Sequence, residues 1–145
     1  PREGYRKAVE IEEAGIALYS RLVALLPDGS REQEEIEFLL EQETYHRSFY
    51  EEEMEKYPPV HDAEAEDNES GTEKELEEVG TALSRGSPGS AREALLLGVK
   101  LEKGSIAYFQ RLSKNAPPGY IKKAIKRILQ EEKEHLQRLN LLLEL

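Results

Sequence analysis

Apolar residues recur with a period of about 3.6 in four long segments of the chain, and no segment alternates apolar and polar residues over the length of a strand. This pattern predicts an all-α fold. The predicted long helices run from about Tyr5 to Leu26, from Ser30 to near Pro58, from Ser90 to about Asn115, and onward from Gly119. Ser and Gln or Glu three residues apart, at 30 and 33 and at 90 and 93, indicate capping boxes at two helix starts.

Residues 58–89, between the second and third long helices, are rich in Glu, Asp, Ser and Gly and form a predicted crossover linker. Residues 72–75 can open a short helix within it, with Leu76, Val79 and Leu83 as the face that docks on the bundle. The short turns within each half make those helix pairs antiparallel. The long linker then lets the second and third long helices run parallel in a four-helix bundle.

The two halves of the chain match each other along the sequence. An offset of 90 residues pairs Ile11-Glu12 with Leu101-Glu102, and Pro27 and Gly29 with Pro117 and Gly119. One residue is then lost, and an offset of 89 pairs Ile36 with Ile125, Leu40 with Leu129, Glu43 with Glu132 and His46 with His135. The sequence therefore predicts two duplicated antiparallel helix pairs within a single domain, residues 1–145.

Composition narrows the classes of function. The chain has no cysteine, which excludes thiolate zinc sites, iron–sulfur clusters and thiol catalysis within it. Its formal charge of −10 argues against a nucleic-acid partner, because duplex binding depends on clustered Lys and Arg. No apolar run approaches the roughly 20 residues of a membrane span, and residues 1–10 lack the apolar core of a signal peptide. We therefore expect a cytoplasmic protein without a membrane partner.

Six acidic and histidine side chains occupy helix positions that packing would assign to apolar residues. Two Glu-x-x-His pairs put both of their side chains on one helix face, and a Glu lies in the apolar stripe of each remaining long helix. Ionised carboxylates in a core cost several kcal/mol each unless cations offset them. We therefore predict a metal site with the ligands Glu12, Glu43, His46, Glu102, Glu132 and His135.

Four carboxylates and two imidazoles suit iron or manganese better than structural zinc. The predicted cofactors are two iron ions, with manganese or zinc as possible substitutes. Two alternatives stay open: a rotated helix would present Glu10, Glu13 or Glu131 in place of a chosen Glu, and a metal-free bundle would solvate or salt-bridge the same residues. Tyr19 is either a core aromatic residue or a contact of one of the ligands.

A Glu from each of two helices plus Glu-x-x-His from each of the other two is similar to the ligand set of ferritin-like di-iron carboxylate proteins. Within that superfamily, the duplicated halves, the long crossover and the Glu-plus-aromatic helices (Glu12 with Tyr19, Glu102 with Phe109) resemble the rubrerythrin family. The resemblance implies a ferritin-like four-helix bundle. It also implies that Glu12 and Glu102 are terminal ligands, that Glu43 and Glu132 bridge the irons, and that each histidine binds one iron.

Two departures from full rubrerythrins affect the expected chemistry. Those proteins carry a cysteine-rich rubredoxin domain that donates electrons, whereas this chain has no cysteine, so its electron donor must be a separate protein. They also carry an additional Glu three residues after the third-helix ligand, where this chain has Ser105.

The resemblance implies a non-haem di-iron oxidoreductase that reacts with hydrogen peroxide or dioxygen. The alternatives are an iron-handling protein of ferroxidase type and a metal-free helical interaction module whose linker and short helix dock a partner. We also expect a homodimer, because the outer leucines, including Leu96, Leu141 and Leu143, present more apolar surface than one helix face can bury.

Overall fold

The structure, a computed structural model, describes residues 1–59 and 71–145 of the chain. These residues form helices and no strands, which confirms the predicted all-α fold. The helices are α1 (Arg2–Leu25), α2 (Arg31–Glu55), α3 (Gly71–Ser84), α4 (Ala91–Asn115) and α5 (Tyr120–Leu143). The predicted linker, 58–89, contains α3, and its residues 60–70 lie outside the described residues.

The two predicted capping boxes are present at the starts of α2 and α4. Ser30 Oγ accepts a hydrogen bond from the Gln33 N–H at 3.1 Å, and Ser90 Oγ accepts one from the Glu93 N–H at 3.1 Å. The returning bond of each box goes to the residue before the cap, since the Gly29 N–H donates to Gln33 Oε1 and the Gly89 N–H donates to Glu93 Oε1. Two otherwise unpaired N–H groups are satisfied at each helix start.

Hydrogen bonds between opposite ends show that α1 and α2 are antiparallel. The Arg2 guanidinium donates to the carbonyl oxygens of Met54 and Tyr57 at the end of α2. At the other end of the pair, the Gln33 side chain donates to the Val23 carbonyl oxygen.

The directions of α4 and α5 follow from a contact of α4 with α1 and a contact of α5 with α2. Tyr108 Oη donates to the Gly4 carbonyl oxygen, which places the end of α4 beside the start of α1. Arg138, near the end of α5, lies 2.8 Å from Glu35 near the start of α2. Both α2 and α4 are therefore antiparallel to α1 and run in the same direction, as the long linker predicted.

Two apolar clusters fill the bundle, one toward each end, and a polar layer lies between them. The first includes Leu18, Leu22, Ile36, Leu39, Val79, Leu95, Leu101 and Leu139. The second includes Tyr5, Ala8, Ile11, Tyr50, Phe109, Ile125 and Ile128. Val79 of α3 is fully buried, and Leu76 and Leu83 pack beside it, so the predicted docking face of the short helix is used within the chain.

The outer leucines separate into two kinds. Leu96 and Leu141 are 47% and 59% exposed, as expected for surface positions. Leu143 is partly buried and packs against the first apolar cluster. The homodimer stays a prediction.

Among the described residues, no helix has the length and apolar character needed to cross a membrane.

Candidate metal centre

The six residues singled out by sequence lie together in the polar layer of the bundle, each 2% exposed or less. Their ligand atoms form two overlapping groups in which all atoms lie within 4.8 Å of one another. The His46 cluster comprises Glu12, Glu43, His46 and Glu132, and the His135 cluster comprises Glu43, Glu102, Glu132 and His135. Two of the glutamates, Glu43 and Glu132, belong to both clusters.

Helical periodicity brings these side chains to the bundle axis. Glu12 follows Ala8 by one turn on the buried stripe of α1, and Glu132 follows Ile128 by one turn on α5. Because the neighbouring positions on each stripe are buried apolar residues, the carboxylates cannot turn toward water without rotating the whole helix.

The alternative ligands raised by a rotated helix are placed elsewhere. Glu10 and Glu13 are exposed on α1, where Glu10 contacts Arg6 and Glu13 contacts Arg47. Glu131 is partly buried and lies outside both clusters, although it contacts His46 from the side away from the carboxylates. The structure therefore places the six chosen residues in the two clusters, and Glu10, Glu13 and Glu131 outside them.

In the His46 cluster the imidazole directs one nitrogen at the carboxylates. His46 Nδ1 lies 3.5 Å from oxygens of Glu12 and Glu43 and 3.7 Å from an oxygen of Glu132. A cation bound among these atoms would be coordinated by Nδ1.

The His135 cluster repeats this arrangement. His135 Nδ1 lies 3.0 Å from Glu132 Oε1 and 3.4 Å from oxygens of Glu43 and Glu102. Both rings therefore present the same nitrogen to the carboxylates.

Most of these inward-facing atoms have no hydrogen-bond partner. The buried unpartnered atoms in the two clusters are both oxygens of Glu12 and of Glu132, Oε1 of Glu43 and of Glu102, and Nδ1 of both histidines. Native proteins seldom leave buried polar groups without a hydrogen-bond partner, because each such group costs about 1–3 kcal/mol of stability. The cost is larger when the group is charged. Cations are the partners that satisfy carboxylate oxygens and imidazole nitrogens together, so these residues fit a metal centre.

Burial and mutual repulsion change the protonation of the terminal carboxylates. Burial raises the pKa of Glu12 and of Glu102 well above its usual value, and the charges of Glu132 and Glu43 raise each further. Burial and the neighbouring charges therefore favour the protonated form of both side chains when no metal is bound.

The pKa values of the two histidines and of Glu132 shift in the direction opposite to the one that burial alone would cause. Burial alone would lower the pKa of His135, but the nearby carboxylates of Glu102, Glu132 and Glu43 favour the charged imidazolium and raise the pKa to about 12. The pKa of His46 is raised for the same reason. The two imidazolium charges in turn hold the pKa of Glu132 well below its usual value, despite burial. Protons thus occupy the metal-free centre, and a metal must displace them.

We expect the metal-free protein to become less stable as pH rises above about 6.5. An unfolded histidine has a pKa of about 6.5, so the stabilisation from His135 is complete below that pH and is lost as pH rises toward about 12. Each proton held only by the folded state lowers the free energy of unfolding by about 1.4 kcal/mol per pH unit. In a chain of this size that loss lowers the melting temperature by roughly 3–5 °C per pH unit. Calorimetry of chelator-treated protein between pH 6 and 9 measures the trend.

The metal-loaded protein is the control for this pH effect. Metal binding requires neutral imidazole and ionised carboxylates, so its affinity increases with pH. A metal-free protein whose melting temperature rises over this pH range would contradict the proposed proton occupancy.

Gly15 leaves the space in which the Glu43 carboxylate lies. A Cβ built on Gly15 would overlap Glu43 Oε2 and come within 3.4 Å of Leu101. We expect Gly15→Ala to push the carboxylate out of both clusters and to weaken metal binding by about 10-fold or more, since misplaced ligands lose affinity. Equilibrium titration with manganous ion measures the loss.

Gly80→Ala is the matched control for Gly15→Ala. Gly80 lies on the exposed side of α3 with open space around it, so alanine there should raise stability by about 1 kcal/mol or less and leave metal affinity unchanged. Equal affinity in both variants would show that the space beside Gly15 is not needed for metal binding.

Three further residues contact the clusters from outside. Tyr19 Oη donates to Glu102 Oε2 at 2.6 Å, so Tyr19 contacts a predicted ligand on α4 and not the one on its own helix. His46 Nε2 lies 2.7 Å from Glu131 Oε1, and His135 Nε2 lies 2.6 Å from Gln42 Oε1. Sequence reasoning missed the roles of Glu131 and Gln42, although the offset of 89 pairs these two positions.

A groove of about 700 Å³ between α2 and α5 extends inward from the surface as far as the edge of His46. Its lining includes the edge of His46 together with Gln42 and Glu131, and aromatic side chains Tyr45 and Tyr120 lie farther out. The two tyrosines are 76% and 72% exposed, so the groove is open at its outer end.

Comparison of the chain with protein-family models, with curated proteins and with solved structures gave no match.

Proposed function

We propose that this chain is a non-haem di-iron oxidoreductase that reduces a small oxidant, either hydrogen peroxide or dioxygen. The observation that carries the proposal is the convergence of eight buried, unpartnered ligand atoms in two clusters that share Glu43 and Glu132. In this assignment Glu12 with His46 and Glu102 with His135 would hold one ion each. Glu43 and Glu132, which belong to both clusters, would contribute to holding both ions.

A rubrerythrin-like, ferritin-like bundle is the architecture that we propose for this centre. It is supported by equivalent features in the two halves of the chain. Gly29 and Gly119, paired by the offset of 90, both have positive φ angles, 76° and 116°, in the turns that join α1 to α2 and α4 to α5. Each half also contributes one lone Glu and one Glu-x-x-His pair.

The donor set favours iron for this role. Six ligands shared by two ions leave coordination positions free. Four carboxylates suit a hard or borderline metal such as iron better than they suit zinc in a closed tetrahedral site. Two ferrous ions would supply the two electrons that, with two protons, convert one hydrogen peroxide into two waters. The chain itself contributes the ligands, the Tyr19 hydrogen bond to Glu102, and apolar clusters that limit water on both sides.

The groove between α2 and α5 is the route we propose for the oxidant. It reaches His46 and is much larger than a peroxide molecule, so small oxidants can pass along it. These 145 residues contain no cysteine for a rubredoxin-type iron, so we propose that the electrons for re-reduction come from a donor outside them.

Anaerobic titration of metal-free protein with ferrous ion tests the proposal. We expect saturation at two irons per chain, followed by rapid oxidation when peroxide or dioxygen is admitted. The faster oxidant distinguishes a peroxidase from a ferroxidase, and loading beyond two irons per chain would favour iron handling. Binding no tighter than in the His46→Ala, His135→Ala double variant would rule out the di-iron centre.

A further inference from the structure

We infer that the two metal positions are unequal, and that the His46 cluster binds its ion more tightly than the His135 cluster. The inference rests on the proposed metal centre and concerns residues outside the ligand set. It follows from two places where the duplicated halves carry different residues at equivalent positions.

The first difference is the partner behind each histidine. With Nδ1 directed at the metal position, Nε2 carries the proton and donates it outward. Nε2 of His46 donates this hydrogen bond to the carboxylate of Glu131 at 2.7 Å. Nε2 of His135 donates its hydrogen bond to the amide oxygen of Gln42 at 2.6 Å. A charged acceptor makes the stronger bond and draws the proton further from the ring, so Nδ1 of His46 is the better electron donor.

Arg127 reduces this advantage only a little. Its guanidinium lies 3.5 Å from Glu131 Oε2, whereas Glu131 Oε1 is the oxygen that faces His46. The Arg127 side chain is 84% exposed, so water screens its charge. The Glu131 side chain is 21% exposed and lies on the inner side of this pair.

The second difference concerns the two terminal carboxylates. Tyr19 donates a hydrogen bond to Glu102 Oε2, which withdraws electron density from a ligand of the His135 cluster. The position paired with Tyr19 by the offset of 90 is Phe109, which has no hydroxyl group. Both oxygens of Glu12 accordingly lack a hydrogen-bond partner and remain available to a cation.

Both differences act in the same direction. The His46 cluster has a more strongly donating imidazole and a terminal carboxylate, Glu12, with both oxygens available. In the His135 cluster the imidazole bonds a neutral amide, and the terminal carboxylate Glu102 accepts the Tyr19 hydrogen bond. Partners of metal ligands typically change affinity by about 10–100-fold when they are altered. We therefore expect the first ion to occupy the His46 cluster with a preference of about 10-fold or more.

Zinc titration followed by nuclear magnetic resonance of the histidine side-chain nitrogens tests the order of filling, since zinc is diamagnetic. The chain has three histidines, so His61 serves as an internal reference and single His→Gln variants assign the other two signals. The His46 signals should shift during addition of the first equivalent and those of His135 during the second.

Exchanging the two partners is the decisive control. Glu131→Gln should reduce the preference to a few-fold. Glu131→Gln combined with Gln42→Glu in a Tyr19→Phe background, where only the histidine partners differ, should transfer the stronger bond to His135 and reverse the order. Tyr19→Phe, which copies Phe109, should tighten the second site alone. Far-UV circular dichroism checks that each variant is folded.

The possible failures are distinguishable from one another. If both histidines shift together in the parent protein, or if the exchange leaves the order unchanged, the inequality is wrong while the metal centre stands. If neither histidine shifts at any zinc concentration, the metal centre and the inequality are both overturned.

Discussion

Loading the metal-free protein with two manganous or ferrous ions raises its melting temperature by roughly 15–30 °C. An ion that binds only the folded chain adds about 4 kcal/mol of stability when its free concentration is 1,000 times Kd, so two ions add about 8 kcal/mol. Each kcal/mol corresponds to roughly 2–4 °C for a chain of this size. The gain is large because the ions also neutralise carboxylates and satisfy ligand atoms that otherwise have no partner.

Scanning calorimetry under anaerobic conditions, with and without metal, measures this shift. The protein is strongly acidic, with a formal charge of −10, so cations will also associate with its surface. A variant with Glu10→Gln and Glu13→Gln separates the two effects, because both residues are exposed on α1 and belong to neither cluster. It should keep the whole shift. A shift that falls with surface charge would point to unspecific binding.

Helix starts and the helix register could be predicted because their causes are local. Ser30 and Ser90 cap the next helix through residues three positions away, and the starts of α2 and α4 were predicted from that spacing. The start of α1 was placed at Tyr5 but lies at Arg2, whose side chain bonds the end of α2. That contact joins residues more than 50 positions apart, so no local pattern indicates it.

The candidate ligands could be predicted because each interrupts an apolar stripe on its own helix. The roles of Glu131 and Gln42 could not be predicted in the same way. Each follows from the histidine that faces it on the opposite helix, which depends on how α2 and α5 pack. Tyr19 likewise bonds Glu102 across the bundle. Periodicity identifies which residues face the core, while packing decides which of them meet.

Replacing both shared glutamates, Glu43→Gln with Glu132→Gln, abolishes metal binding at both positions. Each cluster keeps only one carboxylate and one imidazole, so we expect affinity to fall by at least about 100-fold, since both changes remove ligands as well as charge. Iron oxidation should fall to the rate of free ferrous ion. Titration and stopped-flow absorbance measure the two losses.

The fold should survive this substitution, because glutamine has nearly the same volume and the apolar clusters on either side are untouched. A variant with Glu37→Gln and Glu134→Gln makes the same charge change at exposed positions on the same two helices and should bind two metals normally. If the variant lacking both shared glutamates were folded and still bound iron and reduced peroxide like the parent, the carboxylates would not form the metal centre. Unchanged binding of a protein partner by that variant would instead favour an interaction module, because that function needs the helical surface and not the buried charges.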